Sequence, residues 1–414
     1  MLKHIFTIIW NNRRQNFWLI GGLFIIASCL WFSIDHLYTV QLNKTKSLGF
    51  DWEHVYYLNV NSLTPESGNY TSESIHTKDL SHDMEILVDR LQRHPAVESA
   101  CFTRMHMHYV WLNTKSSLKA DTITQSTWVR MVNPDYFKVF RVKGAYGETP
   151  EELAGKGDKN KLIITQDLAD IVYPGKIAAG KYVVLNDDSL MISAVCEKQK
   201  YNEYTKHQPA TYQIIDYATY RKVENKYAGF IAFYIRVKPE ADKADFLHTF
   251  TTEMREQLHV GNLYLADMLP MADLRQKHLK DSKNEDYTYF AVIQFFLLNV
   301  FLAVLGTFWF RTQQRKSELG LRIALGESKR GLLQLLLGEG ILIISLAVLP
   351  ALILTWNIGM MDLVQTNIFG FGWGRFLAGW LISYALLIIV VLIAVWFPAR
   401  QVMKIQPAEA LRDE

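Results

Sequence analysis

Residues Phe376 to Ala399 read FLAGWLISYALLIIVVLIAVWFPA, a run without a single charged side chain. A helix needs about 20 apolar residues to cross the hydrocarbon core of a bilayer, and this run is long enough. Three more stretches meet the same condition: Phe17 to Ile34, Tyr287 to Phe310 and Gly340 to Met361. Helices buried in soluble proteins rarely stay so long and so apolar. The chain of 414 residues is 50% apolar, yet its mean hydropathy is only +0.01. That average hides two apolar ends around a polar middle. The pattern predicts a membrane α-helical protein with four transmembrane helices and one large extracytoplasmic α+β domain.

Charge orients the spans, because Lys and Arg close to span ends stay on the cytoplasmic side. Lys3, Arg13 and Arg14 precede the first span, and Arg400, Lys404 and Arg412 follow the fourth. Arg311, Arg315, Lys316, Arg322, Lys329 and Arg330 lie between the second and third, while the connection from third to fourth offers only Arg375. Both termini are therefore expected in the cytoplasm. The expected layout is an amphipathic helix at 1–14 lying in the interface and spans at 15–36, 287–310, 332–361 and 376–398. The external domain takes 37–286, the cytoplasmic loop 311–331, a short external loop 362–375 and the cytoplasmic tail 399–414. Ile26-Ala27-Ser28-Cys29 has the form of a lipoprotein processing box, but Leu30-Trp31-Phe32 continues the apolar run. No small-residue cleavage site follows Ile34, so the first span is not expected to be removed.

Between the first two spans, short β-rich runs alternate with helical patterns. His54 to Val60 (HVYYLNV) is strand-like. Asp83 to Arg93 has helical spacing and stops at His94-Pro95, and Val97 to Tyr109 returns to a strand pattern. The order recurs with a strand at Phe230 to Val237, a helix at Ala244 to Leu258 and an extended piece at Asn262 to Leu269. Two β-α-β units of this kind predict a split, ferredoxin-like lobe. A β-rich second lobe, about 126–225, is inserted between them, with Lys181 to Leu185, the Asn186-Asp187-Asp188 turn and Leu190 to Val195 reading as strand, turn and strand. Gly144 to Asn160 is polar and glycine-rich, and is expected to be a loop.

Little in the chain suggests chemistry of its own. There is no GxxxxGK[ST] to cradle a nucleotide, no GxSxG and no HExxH. A net charge of +3 without a basic stripe argues against nucleic acid as a partner. The three cysteines, Cys29, Cys101 and Cys196, have no metal or redox spacing, and only Cys101 and Cys196 lie outside the spans, free to pair. Met105-His106-Met107-His108 is the one metal-like cluster. On a strand its histidines share one face, but a third ligand at useful spacing is missing, so an ordinary strand face is expected and no metal site. Glu339 is expected at the start of the third span, where the helix dipole favours a carboxylate. Gln294 and Asn299 are expected to serve helix–helix contacts. No charge falls near mid-bilayer, which argues against an ion-coupled carrier.

The loop Arg315 to Gln334 reads RKSELGLRIALGESKRGLLQ and the tail Phe397 to Glu414 reads FPARQVMKIQPAEALRDE. The loop resembles the R-x-x-E-I-G-x-R-x-A-L-G-A segment of MacB/FtsX-type ABC transporter permeases, with Leu319 and Glu327 as departures. The tail resembles their P-A-x-x-A-x-x-x-x-P-x-E-A-L-R ending, with Val402 as a departure. Asn133-Pro134-Asp135-Tyr136-Phe137 and the run from Ile163 to Lys198 resemble two further blocks of that family, with Ser193-Ala194 where V-G is common.

This resemblance implies a permease subunit with a MacB-like periplasmic domain in the bacterial inner membrane. Such a subunit has no catalytic residues and no cofactor of its own; ATP and Mg are bound by a partner, a cytoplasmic ABC ATPase dimer. The residues implied in coupling to that ATPase are Arg315, Lys316, Ser317, Glu318, Leu319, Gly320, Leu321, Arg322, Ala324, Leu325 and Gly326. The tail motif is Pro398, Ala399, Arg400, Pro407, Glu409, Ala410, Leu411 and Arg412. Further implied partners are a second permease copy or a related permease, membrane lipid, and a periplasmic adaptor for tripartite export. The implied function is mechanotransmission, in which ATP-driven closure moves the external domain to export or extract a cargo. An FtsX-like regulator of a cell-envelope enzyme and a stand-alone membrane sensor or scaffold are the alternatives.

Overall fold

A computed structural model describes residues 6–7, 9–10, 13–68, 70, 80–104, 108–109, 114–159, 161–221 and 225–402. The chain divides into two compact units, Met1–Asn43 with Ser282–Glu414, and Lys44–Asp281. In chain order the elements are α1 (Arg13–Lys44), β1 (Val55–Ser62), α2 (Leu80–Arg93), β2 (Val97–Arg104), β3 (Thr114–Ala120), β4 (Ile123–Val132), α3 (Tyr136–Val139), α4 (Pro150–Lys156), β5 (Lys161–Thr165) and α5 (Gln166–Val172). There follow β6 (Tyr182–Leu185), β7 (Asp188–Cys196), β8 (Ala210–Ile214), β9 (Ile231–Val237), α6 (Phe246–Met254), β10 (Leu263–Pro270) and α7 (Met271–His278). The chain ends on α8 (Lys280–Gln314), α9 (Lys316–Ala324), α10 (Lys329–Met360) and α11 (Trp373–Val402).

The helical unit is built on α1, α8, α10 and α11, which have 32, 35, 32 and 30 residues and are long and apolar enough to cross a membrane. At about 1.5 Å per residue each outruns the apolar stretch inside it, so every helix carries a polar extension. Their common core includes Leu30, Trp31, Val304, Phe308, Ile344, Ala347, Val391 and Val395. α10 and α11 approach closely at Gly340, where a Cβ would come within 3.0 Å of Val391 and Val395.

The α/β unit holds one sheet in the order β10-β1-β9-β2-β4-β3-β6-β7-β5-β8. Its first four strands come from the two β-α-β pieces legible in the sequence, and each pairs antiparallel with its neighbour. α2 lays Leu80, Met84, Leu87, Val88 and Leu91 in one core with Phe102, Phe233, Phe250 and Met254. The remaining strands do more than extend the sheet. β8 pairs with β5 on one side and, in parallel, with β4 on the other, which closes β4, β3, β6, β7, β5 and β8 into a six-stranded ring. Leu118, Val129, Leu162, Ile164, Val183 and Ile192 fill it, as side chains fill any small barrel. The hairpin of β6 and β7 turns at Asn186 and Asp187, both with positive φ (51° and 69°), the geometry of a type I′ turn.

Three local expectations are corrected. Gly144 to Asn160 is not all loop, because α4 lies within it. Thr149 caps α4, accepting from Glu152 N while the Glu152 carboxylate accepts from Thr149 N, with Pro150 in the first turn. This capping box outweighs the local polarity. Thr149→Ala is expected to destabilise the unit by about 1 kcal/mol, with Thr149→Ser near neutral, as read by thermal unfolding of the full-length protein. The ring also takes in β3 (TKSSLKA), ahead of the segment 126–225. Third, β2 ends at Arg104, so His108 lies in a turn. It stacks on Phe50 with ring centroids 3.5 Å apart and lies 2.7 Å from the Tyr136 hydroxyl. Burial pushes its pKa well below the usual value, so it is a neutral core imidazole. Met105, His106 and Met107 lie outside the described residues. Cys101 and Cys196 are both buried free thiols, their pKa values raised by burial.

Candidate functional site

The segment between α8 and α10 folds as α9, a short helix with a defined stop. Gly326 takes φ +95°, Gly326 N donates to Ile323 O (3.1 Å) and Glu327 N to Arg322 O (3.0 Å). This is the paired closure of a Schellman motif, which only a residue tolerant of positive φ supports at that position. Ser328 then caps α10, its hydroxyl accepting from Gly331 N at 3.1 Å.

α9 has two unlike faces. Leu319 and Gly320 are buried against the bundle. Leu321 and Leu325, four residues apart and so on one face, are 48% and 79% exposed. Ser317 and Lys316 are half-buried, and Ala324 and Gly326 are exposed. Glu318 joins Arg315 (3.0 Å) and Arg322 (3.0 Å), and Arg322 lies 3.8 Å from Glu327. The hydrogen bond from Arg315 holds the Glu318 carboxyl below the usual range.

These charges continue into the bundle. Arg315 lies 3.5 Å from Glu339 of α10, and Arg311 of α8 donates to Glu339 Oε1 at 3.0 Å. Arg311 also donates to Asn16 of α1, whose amide donates to the Ile9 carbonyl at 2.8 Å. Arg311, Glu339 and Asn16 are 8%, 3% and 1% exposed. One polar chain thus joins the N-terminal segment, three long helices and α9.

Glu339 is the main correction. It was expected at a helix start, steadied by the dipole; in fact α10 begins ten residues earlier, at Lys329. The dipole acts within the first turn, so the two arginines hold the carboxylate instead. Asn16 and Arg311 were missed as site residues, because a contact between residues 295 apart leaves no periodic trace in sequence. In the tail, Pro398 and Ala399 lie in the last turns of α11, and Arg400 is exposed with its guanidinium 5.0 Å over Trp396. Pro407, Glu409, Ala410, Leu411 and Arg412 lie outside the described residues.

A second polar junction lies between α1 and α11. Arg375, noted in the sequence only as a lone loop cation, donates to both oxygens of Asp35 (2.8 and 2.6 Å) and to the carbonyls of Gln365 and Phe369. This fork ties the 362–375 connection to the first long helix. Asn299 does not reach another helix; it donates to Phe295 O of its own, and Gln294 is exposed. Among the described residues, no group of three His, Cys, Asp or Glu side chains is arranged to hold a metal.

Comparison with known proteins agrees with both units. Residues 41–252 match the family described as MacB-like periplasmic core domain, and residues 290–407 match FtsX-like permease C-terminal. The periplasmic region of MacB from Actinobacillus actinomycetemcomitans aligns at 10% identity over 56% of this chain and 96% of that one, with a TM-score of 0.33. A domain of a putative permease protein from Porphyromonas gingivalis aligns at 20% identity over 44% and 81%, with a TM-score of 0.32. The extracellular domain of the noncanonic ABC-type transporter YknZ from Gram-positive bacteria aligns at 10% identity over 51% and 100%, with a TM-score of 0.30. No curated protein matches the chain. With a periplasmic core domain matched over more than half of its length and a permease domain after it, the chain belongs to the MacB/FtsX-type permease family and is a multi-pass membrane protein.

Proposed function

We propose that this permease works as a dimer on two separate ATPase subunits that bind ATP and Mg, and that α9 is the helix docked by the ATPase. The observation that carries this reading is α9 itself: a helix offering Leu321 and Leu325 to solvent while its charges connect through Glu318, Arg315 and Glu339 to α8, α10 and α1. An exposed leucine pair is ill-suited to water and well suited to a groove. A pull on α9 then reaches α8 and α10 through salt bridges, and α1 through the Arg311–Asn16 hydrogen bond, rather than through a flexible loop. The six basic residues between Arg311 and Arg330 support a cytoplasmic position for α9. That puts both termini in the cytoplasm and the α/β unit on the far side of the inner membrane. The strand order β10-β1-β9-β2, that is fourth-first-third-second, supports a ferredoxin-like lobe. Movement of the α/β unit, driven by ATP binding, is the output, and it exports or extracts the cargo.

The test is affinity purification of the detergent-solubilised protein, with mass spectrometry and an ATPase assay on the eluate. A stoichiometric ATPase is expected. Burying one leucine contributes about 1.5–3 kcal/mol, so Leu321→Glu with Leu325→Glu should weaken capture by about a hundredfold or more. Glu318→Ala should lower turnover with less effect on capture, since Glu318 is engaged by Arg315 and Arg322. Retention of the ATPase by the double variant would remove α9 as the dock.

A further inference from the structure

Between β7 and β8 the chain runs from Glu197 to Pro209 without regular structure, yet Gln199, Lys200 and Asn202 are 1%, 0% and 6% exposed. Loops usually run over surfaces because buried backbone needs partners. This one finds them on the two segments by which the chain enters and leaves the α/β unit. On the incoming side, Lys200 N donates to Leu48 O (3.0 Å) and Gln199 Nε2 to Gly49 O (3.0 Å). On the outgoing side, Arg275 of α7 donates to Glu203 (2.5 Å), and Asn202 meets His278 at 3.1 Å. On the ring side, the Gln199 carbonyl oxygen accepts from Arg130 of β4 at 3.0 Å and from the Tyr212 hydroxyl of β8. The amide orientation follows from its partners, two donors on one side and a carbonyl on the other. Gly49 permits the approach: its φ is +80°, and a methyl there would overlap the Lys198 carbonyl.

We propose that residues 197–209 are the relay that passes displacement of the incoming and outgoing segments into the six-stranded ring, with Gln199 as its positioning residue. This rests on the permease reading above. α1 is continuous with the incoming segment, and α8 follows α7 directly. A change in either helix therefore arrives first at residues this loop grips. Gln199 bonds at once to the incoming backbone and to two ring strands, so it divides that displacement between them. Without it, the incoming segment retains the loop's Lys200 and His207, the latter 3.0 Å from Ser47 O, but loses the Gln199 side-chain bond to the ring.

The experiment uses the full chain with its ATPase in nanodiscs and spin labels at Asn284→Cys in α8 or Asp187→Cys in the ring hairpin, both exposed, in a Cys29→Ser background. Distances between the two copies are measured with and without ATP. In the parent protein both label pairs should shift. Gln199→Leu should keep the shift at Asn284 and lose most of the shift at Asp187. Gln199→Glu keeps acceptors for Arg130 and Tyr212 but lacks the donor to Gly49. It should show the same split, and it decides the matter if Gln199→Leu unfolds. An undiminished Asp187 shift in a folded Gln199 variant, with Asn284 still responding, overturns the relay alone. No shift at Asn284 in the parent protein overturns the permease reading and the relay with it.

Discussion

Glu339→Leu will destabilise the helical unit by about 3–5 kcal/mol, the usual result of orphaning a buried charge. Arg311 would then lose its carboxylate partner and keep the Asn16 amide and the Phe308 ring, 5.9 Å away, with its guanidinium almost wholly enclosed. The reciprocal change, Arg311→Met, should be milder, because Arg315 remains 3.5 Å from Glu339 and takes over part of its charge. Replacing both, Arg311→Met with Glu339→Leu, should recover much of the loss, since an apolar pair of similar volume avoids the desolvation penalty. A double-mutant cycle on denaturation of the protein in micelles, read by tryptophan fluorescence, measures this coupling. Additive losses from the two single changes would mean that the residues act separately.

The second large effect is expected at Arg236, whose side chain is fully buried in β9 of the α/β unit. It donates to Val139 O (2.6 Å), Glu53 O (2.8 Å) and Asp51 O (2.9 Å), and lies 3.2 Å from the Asp51 carboxylate. The Val139 carbonyl is buried and those of Glu53 and Asp51 are partly so; a buried carbonyl left unpaired loses about 1–3 kcal/mol, so Arg236→Met should destabilise the unit by about 3 kcal/mol. Arg236→Lys should recover only part, because an ammonium cannot span three acceptors in the guanidinium plane. Hydrogen exchange on the full-length protein should show the loss first at residues 51–53 and along β9. Unchanged protection there would mean that water readily replaces the guanidinium.

What the sequence disclosed follows from periodicity. The four apolar runs and the strands around Val55, Val97, Ile231 and Leu263 carry strong patterns, and they appear as elements in the structure. β3 escaped notice because TKSSLKA buries only Leu118 and Ala120 and is otherwise polar. Its partner β4 supplies the hydrogen bonds that local composition does not advertise. The polar junctions were hidden for a different reason. Asp35 and Arg375 lie 340 residues apart and Arg311 and Glu339 lie 28 apart, so each looks like a charge at the edge of an apolar run. Only the packing of helices brings opposite signs together. α9 lies in between: a glycine at 326 is a helix-stop signal that a sequence carries openly, whereas the division of its leucines into buried Leu319 and exposed Leu321 and Leu325 required the bundle.

The closure of β8 onto β4 also bears on solubility. A strand with one neighbour invites another chain to pair with it, and proteins guard such edges against aggregation. Every ring strand has a neighbour on each side, so among the described strands only β10 has a single partner. There Asp267 is exposed, and its carboxylate accepts from Met268 N at 2.8 Å. The charge and the occupied amide both deter an incoming strand. In the function proposed above, this unit then moves without adhering to neighbouring chains.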